Sequence, residues 1–428
     1  MSKVRTDDYL TEAVPGFTHR TAMEEAARCL LCHDAPCSAG CPAGTDPGNF
    51  IRSIRFRNPK GAAEIIRENN VLGGTCARIC PFDRLCEEAC SRCGIDRPIE
   101  IGKLQRYAIE QERAFKMKIL QAPEVRKKQY VACVGAGPAS LACAAELAKE
   151  GYRVTIFEKN AKAGGVLTYG ITAARLPQKV VDHDLASVKG LGVRFEYDNQ
   201  IGKKITIKDL LTKKGFSAVF IGAGLWSSQK PDIPGKELKG VLSAVDFLKK
   251  ARENDGFDKV KGKDVVVIGG GDVAMDCATT AKLSGADNVA IWYRRTIAEA
   301  PANMDEILYA AELGVTITQN FAPKKIHGKT KVEQIEFKGR DGKSTAKVAT
   351  DFVIFAIGQA PEDMKKLSSG FTLNEKGGIV TEEDSSTSIN GVFAAGDIVT
   401  GGYSAVEAVR DGKEAAVGII EYLEREVR

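Results

Sequence analysis

The chain has 428 residues, a formal net charge of +5, and a composition of 43% hydrophobic and 27% charged residues. This length allows two to four domains with cores of their own, and the weak charge, without a Lys/Arg block, excludes a nucleic-acid-binding tail. No apolar run approaches the roughly 18 residues of a membrane-spanning helix, and the N-terminus lacks the apolar core of a signal peptide. We therefore expect a cytoplasmic protein without nucleic-acid or membrane contacts, in which thiols stay reduced.

Cysteine is unevenly distributed along the chain. Twelve cysteines are present, and nine of them precede residue 94. Those nine are Cys29, Cys32, Cys37, Cys41, Cys76, Cys80, Cys86, Cys90 and Cys93. With only four scattered histidines, a histidine-rich metal site is not expected. The change in composition predicts a separate cysteine-rich domain at the start of the chain.

Residues 1–120 carry apolar residues at helical spacing and no convincing strand. The stretches AMEEAARCLLC (22–32), GNFIRSIRFRNPKGAAEIIREN (48–69) and IGKLQRYAIEQERAFKMKIL (101–120) are each predicted to be helical. The basic run Arg52, Arg55 and Arg57 is interpreted as a solvated helix face. Residues 121–129, QAPEVRKKQ, have the polar, proline-containing composition of a linker.

From residue 130 the pattern changes to alternating strands and helices. Residues 130–159 predict a buried strand, a glycine turn, a helix and a second strand, and residues 264–295 repeat this unit. Further apolar strands are predicted at 219–224, 352–358 and 391–399, and a helix over 403–424. Such alternation predicts doubly wound α/β domains.

The first α/β unit contains the dinucleotide fingerprint Gly135-x-Gly137-x-x-Ser140. The first glycine makes the tight turn, the second lets a pyrophosphate approach the backbone, and the helix N-terminus offers N–H groups to it. Ser140 stands where Gly or Ala is usual, which predicts slightly looser packing of helix on strand. Glu158 ends the next strand, where a carboxylate accepts hydrogen bonds from a ribose.

The second unit carries Gly269-x-Gly271-x-x-Ala274, again after an apolar strand. Its next strand ends in Arg294 and Arg295 where NAD sites prefer an acid. An arginine at this position can bind the 2′-phosphate of NADP. The pattern favours NADP(H), while solvated arginines at a strand end are the alternative.

The segment GVFAAGD (391–397) resembles the second flavin motif of the glutathione-reductase-like family, in which its aspartate meets the ribityl chain of the flavin. Gly164 and Gly165 also match that family. The resemblance implies FAD in the first fingerprint and the nicotinamide cofactor in the second, inserted domain. Most disulfide reductases of that fold use a cysteine pair beside the flavin, but no cysteine lies between Cys143 and Cys277 or after Cys277. We therefore expect electrons to leave by another route.

Disulfides, zinc and iron–sulfur clusters compete as interpretations of the early cysteines. Disulfides are rare in a cytosolic chain, and zinc sites usually pair two C-x2-C hairpins. The spacing C-x2-C-x4-C-x3-C-P in residues 29–42 is close to the ferredoxin run, whose fourth cysteine ligates a second cluster. Iron–sulfur ligation is favoured, with Cys29, Cys32 and Cys37 on one cluster and Cys41 on another. Spacing alone does not assign the later cysteines.

The chain resembles the flavin-carrying subunit of bacterial NAD(P)H-dependent dihydropyrimidine dehydrogenase over nearly its whole length. The resemblance is carried by CLLCHDAPCSAGCP, DPGNFIRSIRFRN, CARICP, PIEIGKLQRYA, GGGDVAMD and VFAAGD. The wider family includes the glutamate synthase small subunit and the large subunit of NADH-dependent ferredoxin:NADP oxidoreductase. In dihydropyrimidine dehydrogenases a glutamine in a PI-x-IG-x-LQ motif ligates one cluster, and Gln105 matches it. Glutamate synthase small subunits typically carry an acid there.

The resemblance implies two 4Fe–4S clusters and a ligand set for each. Cys29, Cys32, Cys37 and Cys90 would hold the first, and Cys41, Cys80, Cys86 and Gln105 the second. Cys76 and Cys93 are then expected to pack without ligating. The candidate FAD residues are Gly135, Gly137, Pro138, Ala139, Ser140, Glu158, Lys159, Gly164, Gly165, Arg175, Gly396 and Asp397. The candidate NAD(P)H residues are Gly269, Gly271, Asp272, Val273, Ala274, Arg294 and Arg295.

The predicted fold is an α-helical N-terminal iron–sulfur domain followed by two α/β dinucleotide-binding domains of glutathione-reductase type. We expect the iron–sulfur domain at 1–125, the FAD domain at 126–228 and 358–428, and the NAD(P)H domain at 229–357. The loop ITAARLP (171–177) departs from the family's flavin-side loop, so the contact predicted for Arg175 rests on position alone.

The resemblance implies a function in electron input. A hydride passes from NADPH or NADH to FAD, and single electrons then pass through the clusters to a partner subunit with FMN and iron–sulfur clusters that reduces uracil or thymine, or the reverse. A heterotetramer is expected, and no acid–base or nucleophilic residue is proposed. The alternatives are the two other members of the wider family and, from another class, a zinc-stapled nucleotide-binding regulator.

Overall fold

The structure, a computed structural model, describes residues 8–229 and 231–425. Its first part is helical, and residues 8–129 contain no strand, as predicted. The helices of this part are α1 (His19–Ala27), α2 (Pro36–Ala39), α3 (Pro47–Arg55), α4 (Pro59–Asn69), α5 (Gly73–Ile79) and α6 (Ile101–Ala114). Residues 121–129, predicted to be a linker, form neither helix nor strand.

Local sequence signals explain where α3 and α4 begin. Each has proline at its first position, where no intrahelical N–H bond is lost. The residue before each proline is a side-chain cap: Asp46 accepts a hydrogen bond from the Asn49 N–H, and Asn58 accepts one from the Gly61 N–H. The arginines at 52, 55 and 57 are exposed, which confirms the interpretation of that run as solvated.

Two helices are shorter than the sequence predicts. The first predicted helix was expected to continue through Cys32, but α1 ends at Ala27. Leu31 and Asp34 have φ angles of +53° and +48°, which a right-handed helix cannot contain. Residues 28–35, with Cys29 and Cys32, are therefore a loop. Likewise α6 ends at Ala114, and Lys116 has φ of +51°.

The α/β part begins with β1 (Tyr130–Val134), α7 (Pro138–Lys149), β2 (Arg153–Phe157), α8 (Val166–Tyr169), α9 (Gln178–Gly190), β3 (Arg194–Glu196), α10 (Ile207–Thr212) and β4 (Ala218–Ile221). The chain returns to it through β15 (Val392–Ala394), α14 (Asp397–Thr400) and α15 (Ala405–Arg425). These five strands form one parallel sheet in the order β15-β4-β1-β2-β3. Its central strands are almost wholly buried and apolar, as expected for a sheet with helices on both faces.

The segment between β4 and β15 forms further sheets. Its elements are β5 (Ser227–Ser228), β6 (Val241–Ser243), α11 (Ala244–Glu253), β7 (Asp264–Ile268), α12 (Asp272–Leu283), β8 (Asn288–Trp292), α13 (Met304–Glu312), β9 (Thr316–Thr318), β10 (Phe321–His327), β11 (Gln334–Gly339), β12 (Thr345–Ala349), β13 (Phe352–Phe355) and β14 (Gln359–Ala360). A parallel sheet has the order β6-β13-β7-β8-β9, and β10, β11 and β12 form an antiparallel sheet. The antiparallel pair β14–β5 lies where the chain enters and leaves the segment.

The chain divides into two compact units, each built from separate segments. Unit 1 contains residues 8–15, Thr168–Pro177 and Trp226–Ala360. Unit 2 contains Gly16–Leu167, Gln178–Leu225 and residues 361–425. Residues 8–15 thus group with the inserted segment, whereas the sequence analysis placed them in the helical domain. Among the described residues, no helix combines the length and hydropathy that crossing a membrane requires.

Candidate functional site

Four cysteines surround one cavity in the helical part of unit 2. Cys29 and Cys32 lie in the loop after α1, Cys37 lies in α2, and Cys90 lies just before a short 3-10 turn. The cavity has about 370 Å³ of empty space, part of it open to solvent, and apolar side chains such as Ile51 complete its wall. We call these four residues the first cysteine group; they are the set predicted for the first cluster.

Burial changes the chemistry of the first cysteine group. It raises the pKa of Cys37 to about 11, and the neighbouring thiols of Cys90 and Cys29 add to the rise. A thiol in such surroundings keeps its proton unless a metal ion takes the place of that proton. Metal ligation requires the deprotonated thiolate. An apolar cavity lined by four cysteine thiols fits a 4Fe–4S cluster, whose iron supplies the positive charge.

A second cysteine group consists of Cys41, Cys80 and Cys86. A hydrogen bond with the Cys76 thiol raises the pKa of Cys80, and burial raises it further. The thiols of Cys41 and Cys86 lie near enough to contribute to the same rise. Burial also raises the pKa of Cys86, where Cys41 and Cys37 are among the contributing neighbours. The two cysteine groups are therefore adjacent.

Gln105 lies on α6 with 7% of its surface exposed. Its side-chain N–H donates a 2.7 Å hydrogen bond to the carbonyl oxygen of Gly73, the first residue of α5. Because α5 ends at Ile79, directly before Cys80, this bond connects Gln105 to the helix that positions a cysteine of the second group. The bond fixes the amide group and leaves its carbonyl oxygen with acceptor capacity, as the predicted ligand role requires.

The two cysteines without an assigned ligand role differ in environment. Cys76 is 2% exposed and lies beside Cys80 in the second group. Cys93 is exposed, and its thiol donates to the carbonyl oxygen of Glu87. Sequence reasoning treated both as packing residues and missed the position of Cys76, although its four-residue spacing from Cys80 in a helix places both on one face.

The turn between β1 and α7 has the shape that a pyrophosphate site needs. Gly135 has φ of +92°, and a Cβ there would lie 2.7 Å from the carbonyl oxygen of Gly222. A Cβ at Gly137 would meet only the Gly222 carbonyl oxygen, at 3.9 Å, and Gly137 precedes α7, where Pro138 occupies the first position. A Cβ at Gly165 would lie 2.8 Å from the Gly137 Cα atom, so the turn is flanked by bare backbone. This glycine cradle fits a dinucleotide.

Glu158 directly follows β2 and is 4% exposed. One carboxylate oxygen accepts from the Ala136 N–H at 2.8 Å, and the other accepts from the backbone and side-chain N–H groups of Asn160. Each oxygen has two lone pairs, so the first keeps acceptor capacity for a ribose hydroxyl. The next residue, Lys159, forms a 2.8 Å ion pair with Glu362.

The returning segment 391–397 packs against the start of α7. Gly396 has φ of +74°, and a Cβ there would lie 2.8 Å from the Ala139 Cβ atom. Burial raises the pKa of Asp397 to about 6, against a hydrogen bond from the Tyr403 N–H, and the nearby carboxylate of Asp411 adds to the rise. Both parts of the predicted FAD site are therefore adjacent in unit 2.

The second fingerprint lies in unit 1, between β7 and α12. Cβ atoms at Gly269 and Gly270 would collide with the Ala356 carbonyl group and the Tyr293 ring, respectively. Gly271 precedes α12, and a Cβ there would make only an ordinary contact with Pro301 at 3.7 Å. The next three predicted residues start α12: Asp272, Val273 and Ala274. Asp272 accepts hydrogen bonds from the backbone and side-chain N–H groups of Asn303, and this holds the facing loop. Arg294 and Arg295 are exposed just after β8.

Arg175 is paired with two carboxylates of unit 1. It belongs to unit 1, where its guanidinium group lies 2.9 Å from Asp276 on α12 and 3.1 Å from Glu306 on α13. Its side chain is 10% exposed. Because a buried guanidinium needs paired carboxylates, these two pairs stabilise Arg175 within unit 1, and its flavin contact stays a prediction.

Two family models match the chain. Residues 5–117 match the model described as dihydropyrimidine dehydrogenase domain II, 4Fe-4S cluster, and residues 129–412 match pyridine nucleotide-disulphide oxidoreductase. The first description favours iron–sulfur over the zinc-stapled alternative. Together they imply the use of FAD, NAD(P)H and a 4Fe–4S cluster.

The chain is also similar to individual proteins. The NAD-dependent dihydropyrimidine dehydrogenase subunit PreT of Escherichia coli O157:H7 is 44% identical over 97% of this chain and 98% of its own length. The glutamate synthase [NADPH] small chain of Escherichia coli K12 is 32% identical over 99% of this chain and 95% of its own. Among solved structures, thioredoxin reductase of T. acidophilum has a TM-score of 0.56 at 23% identity, covering 70% of this chain and 100% of its own, which shows the fold alone.

These findings confirm the predicted fold class, a helical iron–sulfur domain followed by dinucleotide-binding domains of glutathione-reductase type. They also agree with the resemblance drawn from the sequence motifs. The chain therefore belongs to the pyridine nucleotide-disulphide oxidoreductase family and, within it, to the iron–sulfur members similar to PreT, as an NAD(P)H-dependent oxidoreductase.

Proposed function

We propose that this chain is the electron-input subunit of a dihydropyrimidine dehydrogenase, with one FAD and two 4Fe–4S clusters. When bound, FAD accepts the two electrons of a hydride from NAD(P)H and releases them singly to clusters that each accept one. The observation that carries the proposal is the shared location of both cysteine groups and the first fingerprint in unit 2. The chain thus combines the residues for both kinds of cofactor in one compact body.

The cysteine groups support one cluster each. Cys29, Cys32, Cys37 and Cys90 would hold the first cluster, and Cys41, Cys80, Cys86 and Gln105 the second. The apolar wall of the first cavity limits water at the sulfur atoms, which lowers the local dielectric. The hydrogen bond from Gln105 to Gly73 orients its amide group, the role of an outer partner for a ligand.

Arg294 and Arg295 support NADPH as the electron donor. Both are exposed after β8, at the position where a 2′-phosphate meets the protein. In contrast, the name of the similar PreT proteins states NAD dependence. The functional experiment therefore compares NADH with NADPH as the electron donor.

A partner subunit is part of the proposal. The similar PreT proteins are named as subunits of a dihydropyrimidine dehydrogenase. We propose that the partner contains FMN and iron–sulfur clusters, that it reduces the 5,6 bond of uracil or thymine, and that the two chains form a heterotetramer.

A glutamate synthase small subunit is the second candidate, supported by 32% identity over nearly the whole chain. Gln105 discriminates between the two, because the family resemblance implies an acid at this position in glutamate synthase small subunits. The hydrogen bond from the Gln105 side-chain N–H to Gly73 favours the first candidate, since a carboxylate could not donate it.

The test is co-expression with an FMN-containing pyrimidine-reducing subunit, followed by assays of uracil and thymine reduction with NADH and with NADPH. We expect reduction only when both chains are present. No reduction with either donor, together with glutamine-dependent reduction of 2-oxoglutarate alongside a glutamate synthase large subunit, would assign the chain to the second candidate.

A single variant distinguishes hydride transfer from NAD(P)H to FAD from electron transfer through the second cluster to the partner subunit. Cys86→Ser removes a thiol of the second cysteine group and leaves both fingerprints intact. We expect this variant to reduce ferricyanide with NAD(P)H as the unchanged chain does, and to lose uracil reduction in the complex. Uracil reduction at the unchanged rate would contradict electron transfer through this group.

A further inference from the structure

Lys413 connects the C-terminal helix α15 to the loop that follows Cys41. Its ammonium group donates hydrogen bonds to the carbonyl oxygens of Ala43 at 2.6 Å and Asn69 at 2.9 Å. The same group lies 3.8 Å from the position that a Cβ of Gly44 would occupy. It also interacts electrostatically with the Cys41 thiol. A cation from the C-terminal helix therefore lies beside a residue of the second cysteine group.

The residue before Lys413 contacts the predicted FAD site. A Cβ at Gly412 would collide with the backbone of Ala139, in the first turn of α7. Helix α15 and helix α7 therefore touch backbone to backbone at this point. One turn of α15 thus reaches both the helix that faces the flavin pyrophosphate and the loop of the second cysteine group.

The charge of Lys413 is only partly balanced by its surroundings. Burial lowers the pKa of Lys413, and the negative charge of Glu146 opposes that shift. The nearby cation Lys149 donates to the Glu68 carbonyl oxygen at 2.9 Å and is paired with Glu146 at 2.7 Å. Lys149 therefore binds the end of the same helix α4, but its charge is neutralised by its own partner.

A partly buried cation changes the energy of an electron carrier beside it. Reduction adds one negative charge to a cluster, and a nearby positive charge in a medium of low dielectric stabilises the reduced form. The carbonyl partners of Lys413 accept hydrogen bonds and carry no charge, so they orient the ammonium group without cancelling it.

We propose that Lys413 is a positioning residue that raises the reduction potential of the second cluster. Its ammonium group is held beside Cys41 by the Ala43 and Asn69 carbonyl groups. The inference rests on the proposed function, in which Cys41, Cys80, Cys86 and Gln105 hold that cluster. It predicts that electron acceptance by the second cluster depends on one charge supplied by the C-terminal helix.

The test uses the full chain with its cofactors and a redox titration followed by electron paramagnetic resonance. Lys413→Gln removes the charge and keeps an N–H donor, Lys413→Arg keeps the charge, and Lys149→Gln is the control on the same end of α4. The signal of the second cluster is identified as the one that Cys86→Ser alters. We expect Lys413→Gln to lower its reduced-to-oxidised ratio at least tenfold at a fixed potential, a shift of about 59 mV downward for one electron.

Two control variants show whether the shift in midpoint potential is due to the charge of Lys413. Lys413→Arg should restore the unchanged midpoint, and Lys149→Gln and the signal of the first cluster should not shift. An unchanged midpoint in Lys413→Gln would overturn the inference, and so would loss of the second cluster's iron in that variant, because Lys413 would then act by holding the loop. Absence of iron from the unchanged protein would instead refute the proposed function.

Discussion

At the scale of single residues, Ser140 shows how a neighbour decides what a sequence motif means. Serine at this position predicts looser packing of α7 on its strand, yet its side chain is fully buried. The facing residue is Gly222, where a Cβ would collide with the Ser140 hydroxyl group. The serine is accommodated because the segment after β4 has no side chain there, and packing remains close.

Gln105 is the residue that most directly tests the proposed second cluster. Gln105→Leu keeps the approximate size of the side chain but removes the proposed ligand and the hydrogen bond to Gly73. We expect the iron content of the purified chain to fall by up to about half, as for one of two clusters, with FAD content unchanged. Iron, sulfide and flavin analysis measures this.

Two further variants are controls for the iron content of Gln105→Leu. Cys93→Ser changes an exposed thiol outside both cysteine groups and should keep full iron content. Gln105→Glu supplies a carboxylate oxygen at the same position and should retain more iron than Gln105→Leu. Full iron content and unchanged spectra in Gln105→Leu would rule out Gln105 as a ligand.

At the scale of secondary-structure elements, a buried ionic network joins four helices of unit 2. Arg67 on α4 is fully buried and pairs with Glu112 on α6 at 2.9 Å and Asp184 on α9 at 2.7 Å. Asp184 also accepts from the backbone N–H groups of Gly74 and Thr75 in the first turn of α5. The helix that carries Cys76 is therefore fixed by a carboxylate from the dinucleotide-binding fold.

The same network predicts a pH dependence of stability. Burial by itself would raise the pKa of Glu112. The hydrogen bond from His183 and the charge of Arg67 outweigh burial and lower this pKa below its ordinary value of 4.5. A carboxyl group with a lowered pKa in the folded state stabilises the protein above that ordinary value, and this stability is lost as the pH falls below it. Glu112→Gln should therefore reduce the free energy of unfolding by about 1–3 kcal/mol at pH 7.

Urea unfolding at pH 7 and near pH 4 measures this difference between Glu112→Gln and the unchanged protein. We expect the difference to be largest at pH 7 and to narrow at the lower pH. Glu146→Gln, which removes one partner of the half-exposed pair with Lys149, is the control and should cost at most about 1 kcal/mol. A difference independent of pH would show that Glu112 contributes through packing alone.

At the scale of the whole molecule, neither unit is a continuous stretch of chain. The segment 8–15 belongs to unit 1, although the inserted segment of that unit begins at Trp226. Tyr9 is 4% exposed within the apolar core of unit 1, and the Ala13 N–H donates to the Ala174 carbonyl oxygen at 2.8 Å. The N-terminal segment therefore completes the core of the unit with the second fingerprint.

Substitutions of Tyr9 test whether residues 8–15 are part of the core of unit 1. Tyr9→Ala should lower the free energy of unfolding by about 3–5 kcal/mol, as for other large buried aromatic side chains. Tyr9→Phe keeps the ring and should cost about 1 kcal/mol or less. Differential scanning calorimetry of the two variants measures the effect, and equal stability of Tyr9→Ala and the unchanged protein would show that the segment is not part of that core.

Local structure and the kinds of chemistry follow from the amino-acid sequence alone. Apolar periodicity predicts the strands and helices because it depends on residues a few positions apart, and glycine spacing predicts both dinucleotide turns for the same reason. The nine early cysteines indicate metal chemistry, and resemblance supplied the division of ligands between two clusters, which remains a prediction.

Contacts between residues far apart in the chain depend on the complete fold. It brought Cys86 near Cys41 and paired Arg175 with carboxylates on α12 and α13. It also brought Lys413 to the loop after Cys41. No local pattern encodes such contacts, because each depends on the packing of elements far apart in the chain, and burial then determines whether a charge or thiol is structural or available for chemistry.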